Sequence, residues 1–97
     1  MKLLTPIKVG DIEWANRVVV SALTRMRCDP TTHVPNDLLK EYYSARASAG
    51  LVLTEATCIR PDGDAFPGCA WIYNDEQVEG WSKVIDEVHK KGGLIYL

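Results

Sequence analysis

The sequence predicts an α/β fold built on a parallel sheet. Residues 18–20, 51–57 and 94–97 begin as runs of consecutive apolar residues, which is typical of parallel strands because both of their faces are buried. Two segments with helical periodicity lie between these runs. When strands and helices alternate in this way, right-handed crossovers place both helices on the same side of the sheet.

A β-hairpin is predicted before the first of these strands. Residues 7–9 and 12–14 read as two short strands, and Gly10 and Asp11 form a two-residue connection between them. Glycine at the first central position suits a type II′ turn, which matches the twist of a hairpin. The predicted order of elements is therefore hairpin, β, α, β, α, β.

The first helix is predicted to start near Pro35 and to end at Gly50. Proline is favoured in the first helical turn, and glycine adopts the left-handed conformation that ends many helices. The apolar positions at helical spacing, which should face the core, are Leu38, Leu39, Tyr42, Ala45 and Ala49.

The second helix is predicted to begin after Asn74. Gln77, three residues further on, completes a capping-box pattern, and the helix should stop at Gly92 and Gly93. One stripe along it is apolar and is expected to be core: Val78, Trp81, Ile85 and Val88.

The composition is that of an ordinary globular protein, with 46% hydrophobic residues, 25% charged residues and a net charge of −2. Because no polybasic run occurs, nothing favours nucleic acid or an anionic membrane as a partner. The first residues lack the apolar core of a signal peptide, and no apolar run approaches the length of a membrane span. We therefore expect a cytoplasmic protein that binds neither nucleic acid nor membrane.

The three cysteines, Cys28, Cys58 and Cys69, are odd in number and widely spaced, which argues against a disulfide framework. We expect packed thiols instead. His33 and His89 do not stand at metal-ligand spacing from any cysteine, so no metal site is predicted. His33 lies between turn-forming residues and is expected to be solvated.

Both complete strands change from apolar to small and polar residues at their C-terminal ends. In α/β proteins this end of the sheet carries the functional site. Ala22 and Ala56 would let a ligand approach the backbone, and the Thr24 hydroxyl can donate or accept a hydrogen bond. From the pattern alone, a simple transition from strand to loop explains the same residues equally well. Glu55 is expected to be a structural, hydrogen-bonded carboxylate rather than a catalytic one.

The element order fits either a (β/α)₈ barrel or one half of a doubly wound sheet. A barrel takes about 250 residues, so this chain would supply only the first three of its strands. The expected organisation is that residues 1–97 form the truncated N-terminal portion of a single barrel domain.

Several separated blocks of the sequence resemble the Old Yellow Enzyme family of flavin mononucleotide (FMN) oxidoreductases. These blocks are TPIKVGDIEWANRVVVSALTRMR, YYSARASAGLVLTEAT and GWSKVIDEVHKKGG, and together they span nearly the whole chain. The resemblance implies a (β/α)₈ TIM barrel that binds FMN and takes NADPH or NADH as reductant. The implied activity is transfer of hydride via the flavin to the activated C=C bond of an α,β-unsaturated carbonyl compound.

The same resemblance implies roles for individual residues. The family's motif at the first strand matches SALTR, so the main chain of Ala22 and Leu23 would lie against the flavin ring. The Thr24 hydroxyl would bond the flavin C4 carbonyl oxygen and tune the flavin, and the Ala56 N–H would face the N5/O4 edge. Phe66 matches an aromatic position that lines the substrate opening in some members. Ala22 departs from the family's usual proline, and the family's principal acid and base residues would lie beyond this chain.

A second hypothesis belongs to a different class. The chain would be a non-catalytic fragment that acts, if at all, by self-association or by complementing another fragment. A sheet of three strands leaves two apolar edges, and unpaired edges favour association. A sequence that continues with the family's glutamine, histidine pair and tyrosine would distinguish the enzyme from the fragment.

Overall fold

The structure is a computed structural model that describes residues 1–64 and 66–97. Its strands are β1 (Ile7–Val9), β2 (Ile12–Trp14), β3 (Val19–Val20), β4 (Leu51–Leu53) and β5 (Ile95–Tyr96), its helices are α1 (Asp37–Ser44) and α2 (Asp75–Lys90), and two short 3₁₀ helices cover Lys2–Leu4 and Pro61–Gly63.

The two sheets have the predicted topology. β1 and β2 pair antiparallel with Ile7 opposite Trp14, and Gly10 in the connection has a φ of 62°, as the first central residue of a type II′ turn requires. β3, β4 and β5 lie in that order as a parallel sheet. The predicted hairpin and the α/β fold with a parallel sheet are therefore confirmed.

Helix α1 is shorter than predicted and buries a different face. Its N-cap is Asn36, whose side chain accepts hydrogen bonds from the backbone N–H groups of Leu38 and Leu39. The predicted end at Gly50 is wrong, because the regular helix stops at Ser44 and turns follow it. The buried positions along this segment are Leu39, Tyr43 and Ala47, whereas Leu38 and Ala45 are exposed. Both faces carry apolar residues, so contacts with α2 and β4 decide which face is buried.

Helix α2 begins as predicted, with a complete capping box between Asn74 and Gln77. Gln77 is buried as well, and its Nε2 donates to the Thr32 carbonyl at 3.0 Å. Trp81 and Val88 are buried as predicted. Val78 is 47% exposed, so its assignment to the core is wrong.

Helices α1 and α2 pack against each other on the same side of the parallel sheet, as right-handed crossovers require. The rings of Tyr43 on α1 and Trp81 on α2 are 6.0 Å apart. Below them lies Val52 of the central strand β4, which is fully buried. The hydrophobic core therefore occupies the space between the helix pair and one face of the sheet.

The prediction of strands buried on both faces holds for β4 but not for β3. Leu51 and Val52 in β4 are buried, whereas Val19 in β3 is 40% exposed and Val18, just before β3, is 38% exposed. The difference follows from position, because β4 is the central strand and β3 is at the edge. Within the described residues, no helix has the length and apolar character needed to cross a membrane.

The cysteines agree with the expectation of packed thiols. No disulfide joins any of the three, Cys28 and Cys69 are buried, and Cys58 is half-buried. Burial, together with the nearby Glu55 carboxylate, raises the pKa of the Cys28 thiol to about 12. That thiol is therefore protonated and unreactive at neutral pH.

Candidate functional site

A cavity of about 360 Å³ lies where the chain leaves β3 and β4. This is the C-terminal end of the parallel strands, the place where α/β proteins carry their sites. Its lining residues come from both strand ends and from the long loop before α2: Thr24, Ala56, Thr57, Cys58, Ile59, Arg60, Asp62, Gly63, Phe66 and Cys69.

Three of the residues predicted from the sequence line this cavity together: Thr24, Ala56 and Phe66. Thr24 is half-buried, and among residues 1–64 and 66–97 its hydroxyl has no hydrogen-bond partner, so it is available to a ligand. The side chains of Ala22 and Leu23 do not line the cavity and are exposed, Leu23 by 53%. The loop between β4 and α2 therefore brings Phe66 to the strand ends, while the two residues before Thr24 face solvent.

The charged groups in the cavity wall neutralise each other. Arg60 donates from Nε to Oδ1 of Asp62 and from Nη2 to Oδ2, both at 3.1 Å. Both side chains are more than two-thirds exposed, so this bidentate pair contributes little to stability. Arg60, the one basic residue among the described residues that line the cavity, therefore already has a carboxylate partner.

Behind the cavity, Glu55 is buried at 2% exposure. The Tyr43 hydroxyl donates to its Oε2 at 2.7 Å and accepts from its backbone N–H at 2.8 Å. The prediction of a structural, hydrogen-bonded glutamate is consistent with this geometry. Its partner on α1 was missed, because no local pattern links a tyrosine to a strand end twelve residues later. Burial raises the pKa of Glu55, and the Tyr43 hydroxyl, the backbone N–H of Arg25 and the positive charge of Arg25 oppose part of that rise.

We expect Glu55→Gln to remove part of the pH dependence of the free energy of unfolding. The folded carboxyl has a pKa above its ordinary value of 4.5, so the folded state binds its proton more tightly than the unfolded chain does. The resulting stabilisation is complete below pH 4.5 and is lost as the pH rises through the folded pKa. The unfolding free energy of the wild type minus that of the variant should therefore fall from acid to neutral pH in urea titrations. A difference that rises over this range would contradict the raised pKa.

His33 is buried at 5% exposure, so the expectation that it is solvated is wrong. Its ring stacks on Trp71 with centroids 3.6 Å apart, and its Nδ1 lies 2.6 Å from the Cys69 carbonyl oxygen. The Cys69 thiol donates to Oδ1 of Asp64 at 2.8 Å. The loop before α2 folds over the histidine, and the 36 residues between His33 and Cys69 leave no spacing signal in the sequence.

Comparison with solved structures identifies the class of fold to which this arrangement belongs. The structure of the old yellow enzyme from Trypanosoma cruzi superposes with a TM-score of 0.94 and 44% sequence identity, over 99% of this chain and 26% of that one. The fold is therefore that of a segment of the old yellow enzymes.

Sequence comparisons agree with the structural one. A putative 12-oxophytodienoate reductase 2 from Oryza sativa subsp. japonica is 44% identical over 96 residues, which is 98% of this chain and 25% of the relative. A probable flavin mononucleotide-dependent alkene reductase from Leishmania infantum is 46% identical over 94 residues, which is 97% of this chain and 26% of the relative. The chain thus spans about a quarter of the length of these relatives.

The model of the NADH:flavin oxidoreductase / NADH oxidase family matches residues 2–97. The chain therefore belongs to this family.

Proposed function

We propose that this chain is part of an FMN-dependent oxidoreductase that transfers hydride from NADPH or NADH to the activated C=C bond of an α,β-unsaturated carbonyl compound. Residues 1–97 would form the N-terminal portion of its single (β/α)₈ barrel domain. The observation that carries the proposal is the meeting of Thr24, Ala56 and Phe66 around one cavity at the strand ends. The family description, which joins NADH to flavin, supports the reductant, and the Leishmania relative's name supports FMN and an alkene.

The cavity residues fit one edge of a flavin. Thr24 offers a hydroxyl without a partner among the described residues, and Ala56 is small enough for a flat ring to approach its backbone. When bound, FMN would supply the redox chemistry. Thr24 would orient the ring and stabilise negative charge at its C4 carbonyl, while Phe66 would exclude water from the opening. The cytoplasm is the compartment we propose, because packed thiols suit a reducing environment.

A chimera tests this function directly. Residues 1–97 would replace the corresponding quarter of the Trypanosoma cruzi old yellow enzyme, with which they superpose over 99% of this chain. The proposal expects the purified chimera to hold FMN and to oxidise NAD(P)H in the presence of an enone. A folded chimera that keeps the rest of the enzyme's site but does not bind flavin would overturn it.

In that chimera, Thr24→Ala should lower the flavin reduction potential by a few tens of millivolts. A hydrogen bond to a charged acceptor is worth about 1.5–3 kcal/mol. The reduction potential depends only on how much stronger this bond is in the reduced than in the oxidised flavin, which we take as about 1 kcal/mol. For a two-electron couple, about 1.4 kcal/mol corresponds to about 30 mV. The measurement is a dye-equilibrated redox titration. Thr24→Ser keeps the donor and is the matched control, and an unchanged or raised potential in the alanine variant would show that Thr24 only packs.

The exposed edge of the parallel sheet supports a second candidate, in which the chain self-associates without catalysis. Val19 in edge strand β3 and Val18 just before it are each about two-fifths exposed, and an open apolar edge is a template for pairing. We expect the sedimentation coefficient of the chain to rise with concentration. Val19→Lys should shift the chain towards monomer, because a charged side chain blocks edge pairing. A wild-type chain that stays monomeric at high concentration would exclude this candidate.

A further inference from the structure

Three side chains with metal-binding atoms meet beside the cavity: His33, Asp64 and Cys69. A ring nitrogen of His33, the Sγ of Cys69 and a carboxylate oxygen of Asp64 all lie within 4.8 Å of one another. We propose that these residues form a site for a thiophilic divalent cation, Zn²⁺ above all, with a fourth position open to water. This site is independent of the flavin-dependent function proposed above.

The donor set is one that Zn²⁺ prefers. Thiolate, imidazole and carboxylate are its usual protein ligands, at bond lengths of about 2.0–2.3 Å in tetrahedral geometry. Such bonds separate the ligand atoms by about 3.3–3.8 Å. The Sγ of Cys69 and the Oδ1 of Asp64 are now 2.8 Å apart through the thiol hydrogen bond. Replacing that proton with a cation therefore requires these two atoms to separate by about 1 Å or less.

The hydrogen bonding of His33 fixes the tautomer of its neutral ring. Its Nδ1 lies 2.6 Å from the Cys69 carbonyl oxygen, and a carbonyl oxygen can only accept, so Nδ1 carries the proton of the neutral ring. The lone pair of the imidazole is then on Nε2. A metal-binding histidine typically donates its other N–H to a backbone carbonyl or carboxylate in this way, which fixes its orientation.

The three ligands combine rigidity with access. His33 and Cys69 are 5% and 3% exposed, and the stacked Trp71 ring holds the imidazole plane at 3° to its own. Trp71 also donates from Nε1 to the Oδ1 of Asp64 at 3.1 Å, which makes it a supporting partner of two ligands. Asp64 is exposed, so a cation can enter from its side. Because Cys69 also lines the cavity, the bound cation would lie in the cavity wall.

Titration of the 97-residue chain with Co²⁺ tests the site, since Co²⁺ takes the same ligands as Zn²⁺ and absorbs light when a thiolate binds it. We expect a thiolate-to-cobalt charge-transfer band that saturates at one equivalent and disappears when Zn²⁺ is added. Absence of this band in the folded wild-type chain would overturn the proposal.

Variants separate the proposed site from the other thiols. Cys69→Ser should abolish the charge-transfer band, and Asp64→Asn, at an exposed position that the core does not need, should weaken Co²⁺ binding by at least about tenfold. Cys58→Ser is the matched control, because Cys58 lines the same cavity but lies outside the group of three, and it should leave the band unchanged. A band that survives Cys69→Ser, or one that is lost with Cys58→Ser, would place the cation elsewhere and overturn the assignment. Far-UV circular dichroism confirms that each variant is folded.

Discussion

Gly50→Ala is expected to lower the free energy of unfolding by about 3 kcal/mol. A methyl group built on Gly50 would lie 1.9 Å from the backbone oxygen of Asn16 and 2.8 Å from its carbonyl carbon. Neither atom belongs to a flexible side chain. The backbone at Asn16, before β3, or at Gly50, just before β4, must therefore move by more than about 1 Å to restore ordinary packing.

That movement would also break the hydrogen bonds of the Asn16 side chain, which hold the segment before β3 against the segment before β4. The Asn16 Oδ1 accepts from the backbone N–H groups of Val18 at 3.0 Å and Gly50 at 2.8 Å, and its Nδ2 donates to the Ser48 carbonyl at 2.8 Å. Each bond contributes about 0.5–1.5 kcal/mol, so losing the three accounts for most of the expected effect. Since domains are only marginally stable, this loss is a large fraction of the total free energy of unfolding.

Gly10→Ala is the matched control for this prediction. Gly10 has a φ of 62°, and no atom of the described residues other than its chain neighbours lies within 4 Å of the added methyl group. Its replacement therefore costs only backbone strain, about 1–2 kcal/mol. Urea unfolding followed by circular dichroism measures both variants. If Gly50→Ala destabilises the chain no more than Gly10→Ala does, the backbones of Gly50 and Asn16 do not approach each other as closely as described.

The parts of the fold that local chemistry decides were predictable from the sequence. The two-residue connection at Gly10 specifies the hairpin through its positive φ. The side chains of Asn74 and Gln77 specify the start of α2 through reciprocal hydrogen bonds three residues apart. In each case the groups that determine the structure are neighbours in the chain.

The parts that were not predictable depend on contacts between distant residues. Leu38 and Leu39 have the same hydropathy, and only packing against α2 and β4 buries Leu39 and exposes Leu38. His33 is buried because the loop around Trp71 covers it. In the candidate site, the resemblance named Thr24, Ala56 and Phe66, which line one cavity, whereas the rest of the wall depends on how a long loop folds back over the strand ends.

The electrostatics of the cavity lead to a second large effect: the 97-residue chain by itself should not retain FMN through gel filtration. The phosphate of FMN carries a charge of about −1.5 to −2 at neutral pH and needs unpaired positive charge nearby. Within the described part of the chain, Arg60 is the one basic residue that lines the cavity, and Asp62 holds it in a bidentate pair. The flavin ring would contact Thr24 and Ala56, but Leu23 is exposed to solvent and would not cover the ring. We therefore expect a dissociation constant above about 100 μM.

Fluorescence titration of FMN with the chain, followed by gel filtration, measures this affinity, and the chimera with the Trypanosoma cruzi enzyme is the positive control. Asp62→Asn is the informative variant, because it removes the carboxylate that pairs with Arg60 without changing the size of the side chain. An exposed charge pair is worth about 0.2–1 kcal/mol, so this variant should bind FMN up to about fivefold more tightly while still losing it on the column. A monomeric wild-type chain that leaves the column with stoichiometric flavin would show that the cavity already contains a complete site and that phosphate pairing does not limit binding.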